Sequence, residues 1–178
     1  MMPRWALVLR MLHYMFSNPS DGNGEAFLAM MRDFVKRHEN QPATTSSFAA
    51  VAGEHFAKTP LAQRYQIPNL NWFLSQWVEN SYLPSYRLEY TLENQSDHSV
   101  ILRGTIYQDN VPGDFFSILP IVARLSKDQT GQLSAAARGP SSTFSAKLSM
   151  PPEDIQVDPD HWILSEKTST RRLHKPGG

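Results

Sequence analysis

Apolar residues recur along the first eighty positions at helical spacing and along the next eighty at strand spacing. From Trp5 to Phe16, ten of twelve residues are apolar, and the two exceptions, Arg10 and His13, are three apart and so share one stripe. The pattern predicts a helix buried nearly all round. A dense run of turn residues follows at 18–24 (NPSDGNG), after which Phe27, Met30, Met31 and Phe34 mark a second helix at about 24–38. Glu25 at its start and Lys36, Arg37 and His38 at its end suit the helix dipole. Beyond Pro42, Thr45 stands where an N-cap oxygen is needed before Phe48, Val51, Ala52, His55 and Phe56, which predicts a third helix to about residue 57. Past Pro60 and Pro68, Asn69 can cap a fourth, carried by Leu70, Phe73, Leu74, Trp77 and Val78.

At Pro84 the period changes from 3.6 to 2. Tyr86, Leu88, Tyr90 and Leu92 alternate with Arg87, Glu89, Thr91 and Glu93, as a half-buried antiparallel strand requires. Further alternating sets are Val100, Leu102 and Ile106; Leu119, Ile121, Ala123 and Leu125; and Phe144, Ala146, Leu148 and Met150. Turn residues separate them at 94–97, 112–114, 128–131 and 139–142, the spacing of a β-sandwich. Ile155, Val157 and residues 162–164 read as one or two last short strands, and the tail has no apolar periodicity and is expected to fray. The expected fold is α+β: an N-terminal helical subdomain of about four helices at 1–83, an antiparallel β-sandwich at 84–165, and a flexible tail at 166–178.

Composition narrows the function. Seventeen Lys and Arg balance seventeen Asp and Glu in 178 residues, so no summed field draws in nucleic acid. The basic tail (Lys167, Arg171, Arg172, Lys175) lacks aromatic interleaving and reads as solvated. The absence of cysteine removes thiol nucleophiles, disulfides and iron–sulfur clusters. The apolar N-terminal run is too short to span a bilayer and has no small-x-small cleavage pattern, so neither a signal peptide nor a membrane span is expected, and the compartment is left open.

Candidate chemistry is sparse. His38–Glu39 begins like a His-Glu-x-x-His zinc helix, but Pro42 occupies the second histidine position. Glu54–His55 has no histidine four residues away, and His13, His98, His161 and His174 are isolated. No serine sits in a Gly-x-Ser-x-Gly turn, and Gly22 and Gly24 follow no strand, so Lys36 belongs to no phosphate loop. Glu89 and Glu93 fall on a solvent face. Trp72, Trp77, Tyr82 and Tyr86 could line a ligand groove, although helical spacing places them first in packing. No catalytic, cofactor-binding or metal-ligating residue is assigned.

The order of the segments is the more informative signal. Residues 6–16 (ALVLRMLHYMF), 27–38 (FLAMMRDFVKRH), 43–56 (ATTSSFAAVAGEHF) and 72–90 (WFLSQWVENSYLPSYRLEY), followed by 104–108 (GTIYQ), 116–122 with Pro120, and 158–164 (DPDHWIL), together resemble the aminopeptidase N-type zinc metallopeptidases. The resemblance spans about residues 6–165. It implies the helical close of a catalytic domain leading, through the Gln76–Trp77 helix and Pro84, into a β-sandwich. Members of that family carry His-Glu-x-x-His, a downstream zinc-binding Glu and a Gly-x-Met-Glu-Asn segment, none of which is present. Where a Tyr-x-Lys-Gly segment should precede Ala6, this chain has Met2, Pro3, Arg4 and Trp5. The expectation is a non-catalytic C-terminal segment of such an enzyme, without zinc of its own. Its expected partner is an N-terminal catalytic chain, or a second copy through the apolar first helix. The alternative from another class is a freestanding protein- or peptide-binding module.

Overall fold

The computed structural model describes residues 4–17 and 24–174. The expected turn at 18–23, Met2, Pro3, Gly22 and Lys175 lie outside them. The chain divides into two compact units between Ser81 and Tyr82. It is an α+β protein, helices first and two antiparallel-rich sheets after.

In the first unit the described residues form α1 (Arg4–Phe16), α2 (Glu25–Arg37), α3 (Thr45–Phe56), α4 (Pro60–Tyr65) and α5 (Asn71–Leu74), the last running into a π-helical turn, Ser75–Glu79. Leu12, Phe16, Met30, Phe56, Phe73 and Trp77 make the core. Phe16 lies 5.8 Å from Phe56 and 6.0 Å from Phe27, ring to ring, in the tilted and edge-on arrangements aromatic pairs favour. The first helix is not buried all round. Val8, Met11, Leu12, Met15 and Phe16 are buried, but Trp5 and Leu9 are 58% and 41% exposed.

Three local details depart from the sequence pattern. The cap of α3 is Thr44, not Thr45. Thr44 Oγ1 accepts from the Ser47 N–H while Ser47 Oγ accepts from the Thr44 N–H, each at 3.0 Å, a reciprocal box that only Thr44 is spaced to close. Helix α4 was not expected, because only Leu61 and Ala62 carry its apolar face; Thr59 caps it and Pro60 opens it. The expected fourth helix is α5, regular only from Asn71 to Leu74 before it widens. Arg4 donates to Asn80 O at 2.8 Å and Trp77 O at 3.4 Å, and Asn80 Nδ2 donates to Ser75 O at 2.8 Å. These bonds satisfy carbonyls that a terminating helix leaves open.

The second unit comprises β1 (Ser85–Asn94), β2 (Val100–Asp109), β3 (Phe116–Ser126), β4 (Gln129–Arg138), β5 (Ser141–Leu148), β6 (Asp154–Val157) and β7 (Lys167–Arg172). Their order is β5-β2-β1-β7 in one sheet and β4-β3-β6 in the other. All pairs are antiparallel except β1 with β7. Leu88, Leu102 and Ile106 of the first sheet are buried, as are Leu119, Ile121 and Ala123 of the second. Tyr86 Oη and Ser117 Oγ, 2.8 Å apart, form a buried hydrogen bond between the sheets. Burial pushes the Tyr86 phenol far above its ordinary pKa, so it stays protonated and available as a donor.

Here too the pattern misled in places. Strand β4, read only as a turn at 128–131, was hidden because alanines carry its buried positions, Ala135 and Ala137. Residues 162–164 are not a strand. Asp158, fully buried at φ +46°, accepts the Trp162 N–H (2.7 Å) on Oδ1 and the Ile163 N–H (3.0 Å) on Oδ2, which folds the segment into a loop. The tail does not fray at 167–172, where β7 pairs with β1 from Ser85 to Tyr90. A proline inside β3 is tolerated because Pro120 O faces Asp158 N–H (2.8 Å) just beyond the β6 ladder, so its missing donor opposes no strand.

Two glycines should respond oppositely to a methyl group. A Cβ on Gly104 would lie 2.3 Å from the Phe144 ring, whereas one on Gly53, inside α3, would meet nothing within 4 Å. Gly104→Ala should lower the urea midpoint of the sheet unit, with a cost of about 1–3 kcal/mol. Gly53→Ala should raise that of the helical unit by about 0.5–1 kcal/mol. Far-UV circular dichroism would follow both.

Candidate functional site

The helical unit carries an apolar groove of about 330 Å³. Trp5, Leu9 and Leu12 of α1 form one wall, Met31 and Phe34 of α2 with Phe48 of α3 another, and Leu74 and Val78 close it. The sequence builds it simply. The apolar residues of α1 extend round more of its circumference than its core contacts use, leaving Trp5 and Leu9 at the rim. On α2, Leu28, Met31 and Val35 share a stripe by helical spacing, and Leu28 and Val35 are 45% and 62% exposed. Phe34 and Phe48 pack edge to face at 5.2 Å within their wall. Of the two hydroxyls in the lining, that of Thr44 is spent on the α3 cap, and no titratable side chain lines the groove. The groove therefore offers contact area rather than a reactive group.

The residues considered for metal or acid–base chemistry serve structure. His55 Nε2 donates to Asp33 Oδ2 at 2.8 Å, and Arg37 bridges Asp33 (2.8 Å) and Glu54 (2.9 Å), so α2 and α3 are joined by a four-residue polar network. His38 donates from Nδ1 to Phe34 O at 2.9 Å at the end of its helix. His13 packs edge-on against Phe27, and His98 and His161 occupy turn positions with positive φ. Glu89 and Glu93 pair with Arg87 and Arg103. Among the described residues no group of three or more His, Asp or Glu side chains is arranged to hold a metal ion. Of the four aromatics, Trp77 and Tyr86 are core residues, and Tyr82 packs edge-on to Phe115 at 5.8 Å. No helix is long and apolar enough to cross a membrane among the described residues.

No protein-family model matches the chain, and no curated protein does.

The α2–α3 network makes a pH prediction. Hydrogen bonds from His55 and then Arg37 hold the Asp33 carboxyl below its ordinary pKa. A depressed carboxylate contributes stability that is present above the unfolded value, about 4, and is lost as pH falls through the lower folded value. Asp33→Asn should flatten the acid limb of helical-unit stability below about pH 4, as followed by thermal unfolding at stepped pH, with little change in its slope above pH 5.

Proposed function

We propose that this chain is a non-catalytic C-terminal segment of a zinc-dependent, aminopeptidase-like metallopeptidase. In this reading it gives structural support to a catalytic part that carries the metal and the water-activating glutamate. The segment order set out above supports this reading. So does the apolar groove, with Trp5 and Leu9 at its rim, which carries it physically. Large apolar side chains left at 58% and 41% exposure beside an apolar concavity mark a surface suited to cover by another polypeptide. Burial of apolar area is worth roughly 25 cal/mol per Å², so two such side chains and a groove provide the centre of an interface. Zinc belongs to the catalytic part in this reading, and no step is assigned to residues of this chain.

The same groove favours one other reading, a freestanding module that takes an apolar helix of a protein or peptide. A single set of measurements separates them. The purified chain should release no chromophore from aminoacyl substrates, with or without added zinc. Co-expressed with the catalytic part of an aminopeptidase N-type enzyme, it should co-purify, and Trp5→Ser with Leu9→Ser should weaken the complex at least about tenfold while leaving the circular dichroism unchanged. Chelator-sensitive peptidase activity of the chain alone would refute the support role. A soluble monomer that ignores the catalytic part would favour the module.

A further inference from the structure

Strands β6 and β7 end their respective sheets, and a cleft of about 530 Å³ runs along them. In the β1–β7 register Thr168 stands opposite Tyr86, Thr170 opposite Leu88 and Arg172 opposite Tyr90. Side chains directly paired across a ladder share a face, so β7 turns Thr168 and Thr170 to the inner side of its sheet, with Arg172 on the same side but exposed at the strand's end. An apolar strand would be expected there if the position only filled the core. Thr170 Oγ1 accepts the Val157 N–H at 3.2 Å, which leaves its own proton directed elsewhere.

Two groups in this cleft have no polar partner among the described residues. Tyr90 is only 6% exposed, and its hydroxyl opens onto the solvent of the cleft without a hydrogen bond to any described residue. Arg172 forms no ion pair with a described carboxylate. Burial raises the Tyr90 phenol above its ordinary pKa against the pull of Arg172, so it is a proton donor at neutral pH. The acidic side chain in the lining, Asp154, is engaged, accepting from Ile155 N–H and Gln156 Nε2 at 2.9 Å each. The lining is thus rich in donors and holds one uncommitted guanidinium.

We propose that the β6–β7 cleft binds a carboxylate, held by the Arg172 guanidinium and the Tyr90 hydroxyl, which the β1–β7 register sets side by side. A guanidinium fork matches a planar carboxylate in two parallel hydrogen bonds. Asp154 stands in the same lining, so it repels a dianion such as phosphate twice as strongly as a carboxylate monoanion. The carboxylate has two possible sources, an acidic side chain of an extended peptide lying along the edge strands, or a free small carboxylic acid.

The test uses the full chain, isotopically labelled, with backbone amide shifts followed by NMR. Four probes are titrated: acetyl-Gly-Glu-Gly-amide, its Gln counterpart, the monoanion butyrate, and inorganic phosphate. The Glu peptide or butyrate should produce saturable shifts confined to β1, β6 and β7. Saturation by the Glu peptide alone supports the proposal and identifies a peptide side chain as the source; saturation by butyrate supports it with a free acid as the source. Tyr90→Phe, which keeps the buried ring, and Arg172→Gln, at an exposed strand end, should each weaken binding about tenfold without moving the unfolding midpoint. The proposal is overturned by equal binding of the Gln peptide, by equal binding of inorganic phosphate, by unchanged affinity in both variants, or by the absence of saturation at about 10 mM probe.

Discussion

Every backbone N–H and C=O withdrawn from water must find a partner, and in this protein side chains meet that demand wherever a ladder or helix runs out. Asp158 takes two N–H groups of the loop after β6. Gln108, buried in β2, donates from Nε2 to Gly139 O at 2.7 Å and Phe115 O at 3.2 Å, pinning the two connections that flank β3 and β4. Arg4 closes the π-helical turn, and Thr170 accepts the last N–H of β6. Each of these residues is polar where a hydrophobic pattern would ask for nothing, and each would leave orphaned backbone groups if truncated, a cost of about 1–3 kcal/mol per group.

The two units use their uncommitted surface differently. In the helical unit the Asp33–Arg37–His55 network and the Thr44 box spend their polar groups internally, and the exposed groove is hydrocarbon and suits another polypeptide. The sheet unit leaves donors at the β6–β7 edge, where Tyr90 and Arg172 suit an anion. Hydrocarbon burial is non-directional and tolerates many partners, while a guanidinium and a phenol at fixed positions select by geometry.

Much of the fold can be read from periodicity because burial leaves its period in the sequence. Helices α1, α2 and α3 and strands β1, β2, β3 and β5 have large apolar residues at 3.6 or 2 spacing, and the change at Pro84 lies within a few residues of the division between units. The missed elements lack that mark. Helix α4 has two apolar positions, β4 buries alanines, and β7 turns threonines inward. The apolar groove was foreshadowed by the excess of hydrophobic positions on α1. The β6–β7 cleft was not, since its β7 side falls in the tail expected to fray, and only the alternation of Thr168 and Thr170 with Lys167, Ser169 and Arg171 hints at a strand there.

By itself the amino-acid order determined the class of structure, helices followed by sheets, because side-chain periodicity is a local property that each segment states independently. It also determined the absence of a zinc-helix motif, which depends on spacing along the chain alone. Tertiary structure decided the rest: that residues 167–172 pair with β1, that Asp158 bends a would-be strand into a loop, and that Tyr90 and Arg172 come to face one opening. Those are pairings between segments as much as eighty residues apart, and backbone hydrogen bonds, identical at nearly every residue, leave no record in sequence of which partner they will take.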